Sequence, residues 1–175
     1  MVGRRPGEGM RIASQKGLKM GNLHILHKKL THLDLLESEL AEFLNELLHG
    51  NFMNERVPED LRRISDIAIS GNGEPTSAAG FDGIIEAIGE VISDSELSLD
   101  VKLVLITNGS LIHRQPVREG LRKMAALNGE VWFKLDSATG EGRKRINDTT
   151  ESPRRVFSNL SACSSLCPTW IQTCV

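Results

Sequence analysis

The chain has 175 residues, of which 39% are hydrophobic and 25% charged, and a formal net charge of -2. That length supports one domain with a real core, and the near balance of charge argues against a dedicated nucleic-acid binder, which carries a basic excess. No apolar run reaches the length of a membrane span. No apolar segment follows the basic residues near the N-terminus as a secretory signal would require, and three cysteines near the C-terminus make no disulfide framework. A cytoplasmic location is expected.

Residues 1–21 are rich in Gly, Arg and Lys without a sustained period, which predicts a disordered or poorly ordered tail ahead of an α/β domain over 22–175. His24, His27, His32 and His49 follow no zinc-ligand spacing, so they read as solvated helix histidines. Over 33–48, Leu36, Leu40, Phe43, Leu44, Leu47 and Leu48 share one helix face, while Glu37, Glu39, Glu42 and Glu46 fall mainly on the other. Gly50 suits the end of that helix. Residues 51–60 read as a connector, with a short helical turn at 57–60.

The central stretch comes next. The apolar run 67–69 stops at Ser70 and Gly71, and a polar turn of Asn72, Gly73, Glu74, Pro75 and Thr76 leads into a helix. Gly71 and Gly73 let the backbone turn sharply and approach a ligand. Glu74 places a carboxylate at the same edge, where it can receive an ammonium group.

Phe81, Ile84, Ile85, Ile88, Val91 and Ile92 then repeat at helical spacing. Residues 101–106 read as a strand buried on both faces, ending in Thr107, Asn108, Gly109 and Ser110. A helix follows from Pro116, with Val117, Leu121, Met124 and Leu127 on its buried side. Residues 130–136 form the next strand, with Lys134 and Asp136 on one face near its end. These two either bind a ligand or close an ion pair, Lys134 with Asp136 or Lys134 with Glu74. Residues 137–148 read as a loop. Ser152 and Pro153 open a helix carrying Val156, Phe157 and Leu160, and residues 169–175 read as a last strand.

Alternation of helix and strand predicts right-handed parallel βαβ crossovers with about four strands. Polar strand ends then converge on one rim: 70–76, 107–110, Lys134 with Asp136, and Gln172 with Thr173. Its carboxylate, amide, hydroxyls and ammonium suit a small zwitterionic ligand. A nicotinamide fingerprint lacks its third glycine here and carries Glu74 where pyrophosphate would sit. A Walker loop has no Gly-Lys-Ser/Thr, and no nucleophile elbow supports a serine triad.

Taken together, Ser70 to Thr76, the Leu-Ile-Thr-Asn-Gly-Ser run ending at Ser110, the Phe-Lys-Leu-Asp run ending at Asp136 and the Trp-Ile-Gln-Thr run ending at Thr173 resemble the radical S-adenosylmethionine superfamily from about residue 33 onward. The resemblance implies an incomplete parallel (βα) barrel of the radical SAM type. It also implies a turn of Gly71, Asn72, Gly73 and Glu74 that holds the amino group of S-adenosylmethionine. Thr107, Asn108, Lys134 and Asp136 would touch the methionine carboxylate and the ribose. Members of that family cleave S-adenosylmethionine reductively to a 5'-deoxyadenosyl radical with a [4Fe-4S] cluster held by Cys-x3-Cys-x2-Cys.

This sequence departs from the pattern there. It has no cysteine before Cys163, and the spacing of Cys163 and Cys167 lacks a third ligand, so both read as packing or surface thiols. The first strand and the last ones are also expected to be missing. Three readings follow: an incomplete member of the family, inactive as given; a non-catalytic S-adenosylmethionine binder; or a protein-interaction remnant whose open sheet edges pair with a partner.

Overall fold

The computed structural model describes residues 10–13, 33–71 and 73–173. The chain forms β1 (Met10–Ala13), α1 (Leu33–His49), α2 (Phe52–Arg56), β2 (Ile64–Ile69), α3 (Phe81–Asp94), β3 (Lys102–Thr107), α4 (Gln115–Ala126), β4 (Gly129–Lys134), α5 (Gly140–Asn147), α6 (Pro153–Ser164) and β5 (Thr169–Gln172). Short 3-10 turns lie at Glu59–Leu61 and Pro75–Ser77.

The strands form one five-stranded sheet in the order β1-β2-β3-β4-β5, with every neighbouring pair parallel. Right-handed crossovers joining strands in sequential order place their helices on the same face. On that face, Ile67, Leu103, Leu105, Val131, Phe133 and Leu135 pack with Ile84, Ile85 and Ile88 of α3, Val117, Leu121 and Met124 of α4, and Val156 and Cys163 of α6. The period-two alternation of β4 produces this directly: Val131 and Phe133 are buried, whereas Glu130, Trp132 and Lys134 face the other way. Ile85, Leu105, Leu121 and Phe133 are completely enclosed, and each such side chain contributes about 1.5–3 kcal/mol relative to exposure.

Helix α1 buries Leu44 and Leu47 at its centre, with Leu36, Leu40 and Phe43 half-buried beside them. It lies against α3. Glu46 is more than a solvated charge, because its Oε1 accepts from the backbone N–H groups of Asn51 and Phe52 and so satisfies the exposed donors at the start of α2. Phe52 then meets Phe43 edge to face, with centroids 6.0 Å apart.

Three sequence expectations are corrected. The tail over 1–21 was expected to hold no strand, yet Met10–Ala13 pairs with β2 from Met10↔Ile64 to Ala13↔Ala68. A four-residue edge strand is too short to show periodicity, and the count of about four strands becomes five. The connector at 51–60 contains α2. The loop at 137–148 contains α5, whose polar sequence hides it: its one buried residue is Arg143, and Thr139 caps its start by accepting from the Gly142 N–H. His24, His27 and His32 lie outside the described residues, as do Asn72, Cys174 and Val175.

Candidate binding rim at the carboxyl ends of the strands

Because the strands are parallel, the turns after β2, β3 and β4 leave the sheet at one edge. After β2, Gly71 and Gly73 form an isolated bridge ahead of Glu74. Gly73 has φ +140, open to glycine and costly for other residues, and nothing lies within 4 Å of where a Cβ would stand. The backbone is therefore bare on that side of the turn.

Glu74 ties this loop to its neighbour. Its Oε1 accepts from Thr76 N–H at 3.2 Å, Thr76 Oγ1 at 2.6 Å and Thr107 Oγ1 at 2.5 Å. Its Oε2 accepts from Asn108 N–H at 2.8 Å. Thr76 and Thr107 are both 1% exposed, so these hydroxyls find their partner in a carboxylate held between two strand ends. Charge-assisted bonds of this kind are the stronger ones. Thr107 Oγ1 also accepts from Gly109 N–H, and Asn108 Oδ1 from Ser110 N–H, which closes the second turn on itself. Among the described residues, Oε1 thus takes three donors and Oε2 one.

Gly109 supports this arrangement from beneath. It has φ +71, and its carbonyl accepts from Asn159 Nδ2 at 2.9 Å, which fastens α6 to the turn. The sequence carries no periodic signal for Asn159, a buried polar residue whose role appears only when α6 folds against β3.

Lys134 and Asp136 sit at the end of β4. Lys134 is exposed, and the ion pairs proposed for it with Asp136 or Glu74 are not formed. Asp136 instead accepts from Asn147 Nδ2 at 2.7 Å, which links the β4 end to α5. Behind it, the buried guanidinium of Arg143 donates to the carbonyls of Ser137, Ala138 and Glu151. Of the residues assigned to the rim from sequence, Glu74, Thr107 and Asn108 are brought into direct contact. Gly71 and Gly73 are exposed beside them, and Lys134 and Asp136 lie on the next strand of the same edge.

Cys163 and Cys167 lie at the other end of the sheet. Cys167 Sγ donates to the carbonyl of Gly129, the first residue of β4, and Cys163 Sγ accepts from Thr169 Oγ1. Both are buried, at 0% and 2% exposure. Burial pushes the Cys163 thiol up, partly offset by the Thr169 hydroxyl. Burial, together with the nearby Cys163 and Glu130, pushes Cys167 from 9.0 up to about 12. Such thiols are inert rather than ligating, and among the described residues no cluster of His, Cys, Asp or Glu can hold a metal ion.

The Cys167 shift has a pH consequence. The folded state keeps this proton to higher pH than the unfolded chain does, so the contribution is complete below about 9 and is lost as pH rises toward about 12. Urea midpoints are expected to fall over that alkaline window more steeply in the wild type than in Cys167→Ala. Parallel slopes would contradict the burial assigned to this thiol.

Among the described residues no helix is long and apolar enough to cross a membrane. No protein-family model, curated protein or solved structure matches this chain.

Proposed function

We propose that the chain is a radical SAM-type α/β domain whose rim binds S-adenosylmethionine. One observation carries this reading: a single carboxylate, Glu74, fixes the turns after β2 and β3 into one polar platform beside the open backbone of Gly73. The ligand's ammonium would be received by the carbonyls of Gly71 and Gly73 and by Glu74 Oε2. The exposed Asn108 side and the Asp136 carboxylate on the next strand would take the polar groups beyond it.

The [4Fe-4S] cluster that the family employs does not fit the thiols seen here. Cys163 and Cys167 are enclosed one strand length away from the rim, at the amino end of β4 and β5. In the family the cluster supplies the electron for reductive cleavage, and no step of that kind is derived for this chain. The function supported is recognition of the sulfonium nucleoside.

Calorimetry with S-adenosylmethionine tests the reading. A saturable isotherm with one site is expected, and it should be weakened by about tenfold in Asp136→Asn, which keeps the size but not the charge. An absence of heat up to millimolar ligand would overturn it. A second reading, a sheet edge that receives a partner strand, is favoured by the exposure of Ile171 on β5, which among the described residues pairs with β4 alone.

A further inference from the structure

Three Asn-Gly steps occur in the chain, at 72–73, 108–109 and 128–129. The first begins outside the described residues, and the other two are held in opposite ways. An Asn-Gly step can react with itself, because the glycine nitrogen reaches the preceding side-chain carbonyl carbon with no Cβ in the way.

Asn128 is locked. Its Nδ2 donates to the carbonyls of Leu99 at 2.9 Å and Val101 at 3.3 Å, and its Oδ1 accepts from Lys102 Nζ. Turning this amide toward Gly129 would break all three bonds, and replacing its nitrogen by oxygen would set a carboxylate against two carbonyls.

Asn108 differs at each atom that would take part. The residue is exposed, and Nδ2, the group that would leave, has no acceptor among the described residues. Oδ1 accepts from the Ser110 N–H at 2.9 Å, a donor placed to stabilise the oxyanion that forms on attack. The proton of the attacking nitrogen also has an exit. Gly109 N–H donates to Thr107 Oγ1 at 3.0 Å, and Thr107 Oγ1 donates to Glu74 Oε1 at 2.5 Å. One hydroxyl therefore joins the nucleophile to a carboxylate.

We infer that Asn108-Gly109 is a self-modification site. Gly109 N bonds to Asn108 Cγ while its proton passes through Thr107 Oγ1 toward Glu74. The Cγ–Nδ2 bond breaks, and Nδ2 leaves as ammonia with that proton. The product is a five-membered succinimide. Water opens one or other of its carbonyls, which leaves aspartate or isoaspartate at 108, and nothing is oxidised or reduced. Either product puts a second carboxylate on the turn that Glu74 holds. The isoaspartyl form also adds a methylene to the main chain just before Gly109, which is packed against the Phe133 ring. The modification loosens the turn after β3 whether or not a ligand binds at the rim.

Incubating the full chain at mildly alkaline pH, followed by tryptic peptide mapping, tests the inference. Trypsin separates the two steps, Asn108 on residues 103–114 and Asn128 on residues 124–134. The mass gain of an amide-to-acid conversion is expected at Asn108, with isoaspartate there detected by isoaspartyl methyltransferase. Conversion at Asn128 should be slower by about tenfold or more. In concentrated urea the two rates should converge, since the fold alone distinguishes them. Thr107→Ser keeps the hydroxyl and should react as the wild type does, whereas Thr107→Val removes it at similar size and should react about tenfold more slowly. Equal rates at the two steps in the native chain would overturn the inference. So would a Thr107→Val rate at Asn108 no lower than that of the wild type while Asn128 stays protected.

Discussion

Gly109→Ala is expected to cost about 2–5 kcal/mol of stability, combining a left-handed backbone with forced overpacking. At φ +71 an added Cβ would lie 2.0 Å from Cε2 and 2.3 Å from Cζ of Phe133. That ring is completely enclosed and sits at the centre of the helix-facing core, so it has no empty space to enter. Relief can come only from moving the turn, which breaks the Asn159 bond to the Gly109 carbonyl and the Gly109 bond to Thr107. Gly73→Ala serves as the control. Its φ is also positive, yet nothing stands within 4 Å of the new methyl, so it bears the backbone cost alone. Urea denaturation of the two variants should show the larger loss at Gly109. Equal losses would mean that Phe133 is not the obstacle.

Glu74→Ala is expected to remove stability and ligand binding together. The substitution leaves the Thr76 N–H, the Thr76 and Thr107 hydroxyls and the Asn108 N–H without their shared acceptor. Each buried donor so orphaned costs about 1–3 kcal/mol unless water reaches it. Because the rim borders solvent, we expect a total of about 2–4 kcal/mol rather than the full sum. Glu74→Gln should be intermediate: an amide can serve the hydroxyls or the Asn108 N–H with its oxygen, but its NH2 then faces a donor at the other position. Hydrogen exchange at the Asn108 and Gly109 amides should accelerate in both variants while the amides of β4 stay protected. If exchange at Asn108 is unchanged, the carboxylate does not organise the rim.

Much of this architecture could be read from the order of residues. The strand runs at 67–69, 101–106 and 130–136, separated by helical repeats, predicted parallel βαβ crossovers, and the folded sheet is parallel with Leu105, Val131 and Phe133 in its core. The rim was legible because glycines, hydroxyls and carboxylates cluster where strands end. What stayed hidden depended on pairing between distant segments. Met10–Ala13 becomes a strand only beside β2, and α5 is held by the buried Arg143 rather than by an apolar stripe. The role of Glu74 was half visible. Its position at the rim follows from the turn, but its engagement by Thr107 and Asn108 requires the β2–β3 register that the folded sheet supplies. The same holds for Trp132 and Trp170, 38 positions apart, whose indoles both bond Glu130 once β4 pairs with β5.

The most direct measurement of the rim assignment is a 15N-labelled amide spectrum of the chain titrated with S-adenosylmethionine. Shifts concentrated at Gly71, Gly73, Asn108 and Asp136, with the Gly129 and Thr169 amides at the opposite end of the sheet unmoved, are the predicted outcome. Unmoved amides at Gly73 and Asn108 under ligand saturation, or shifts confined to the Cys163 and Cys167 end, would contradict it.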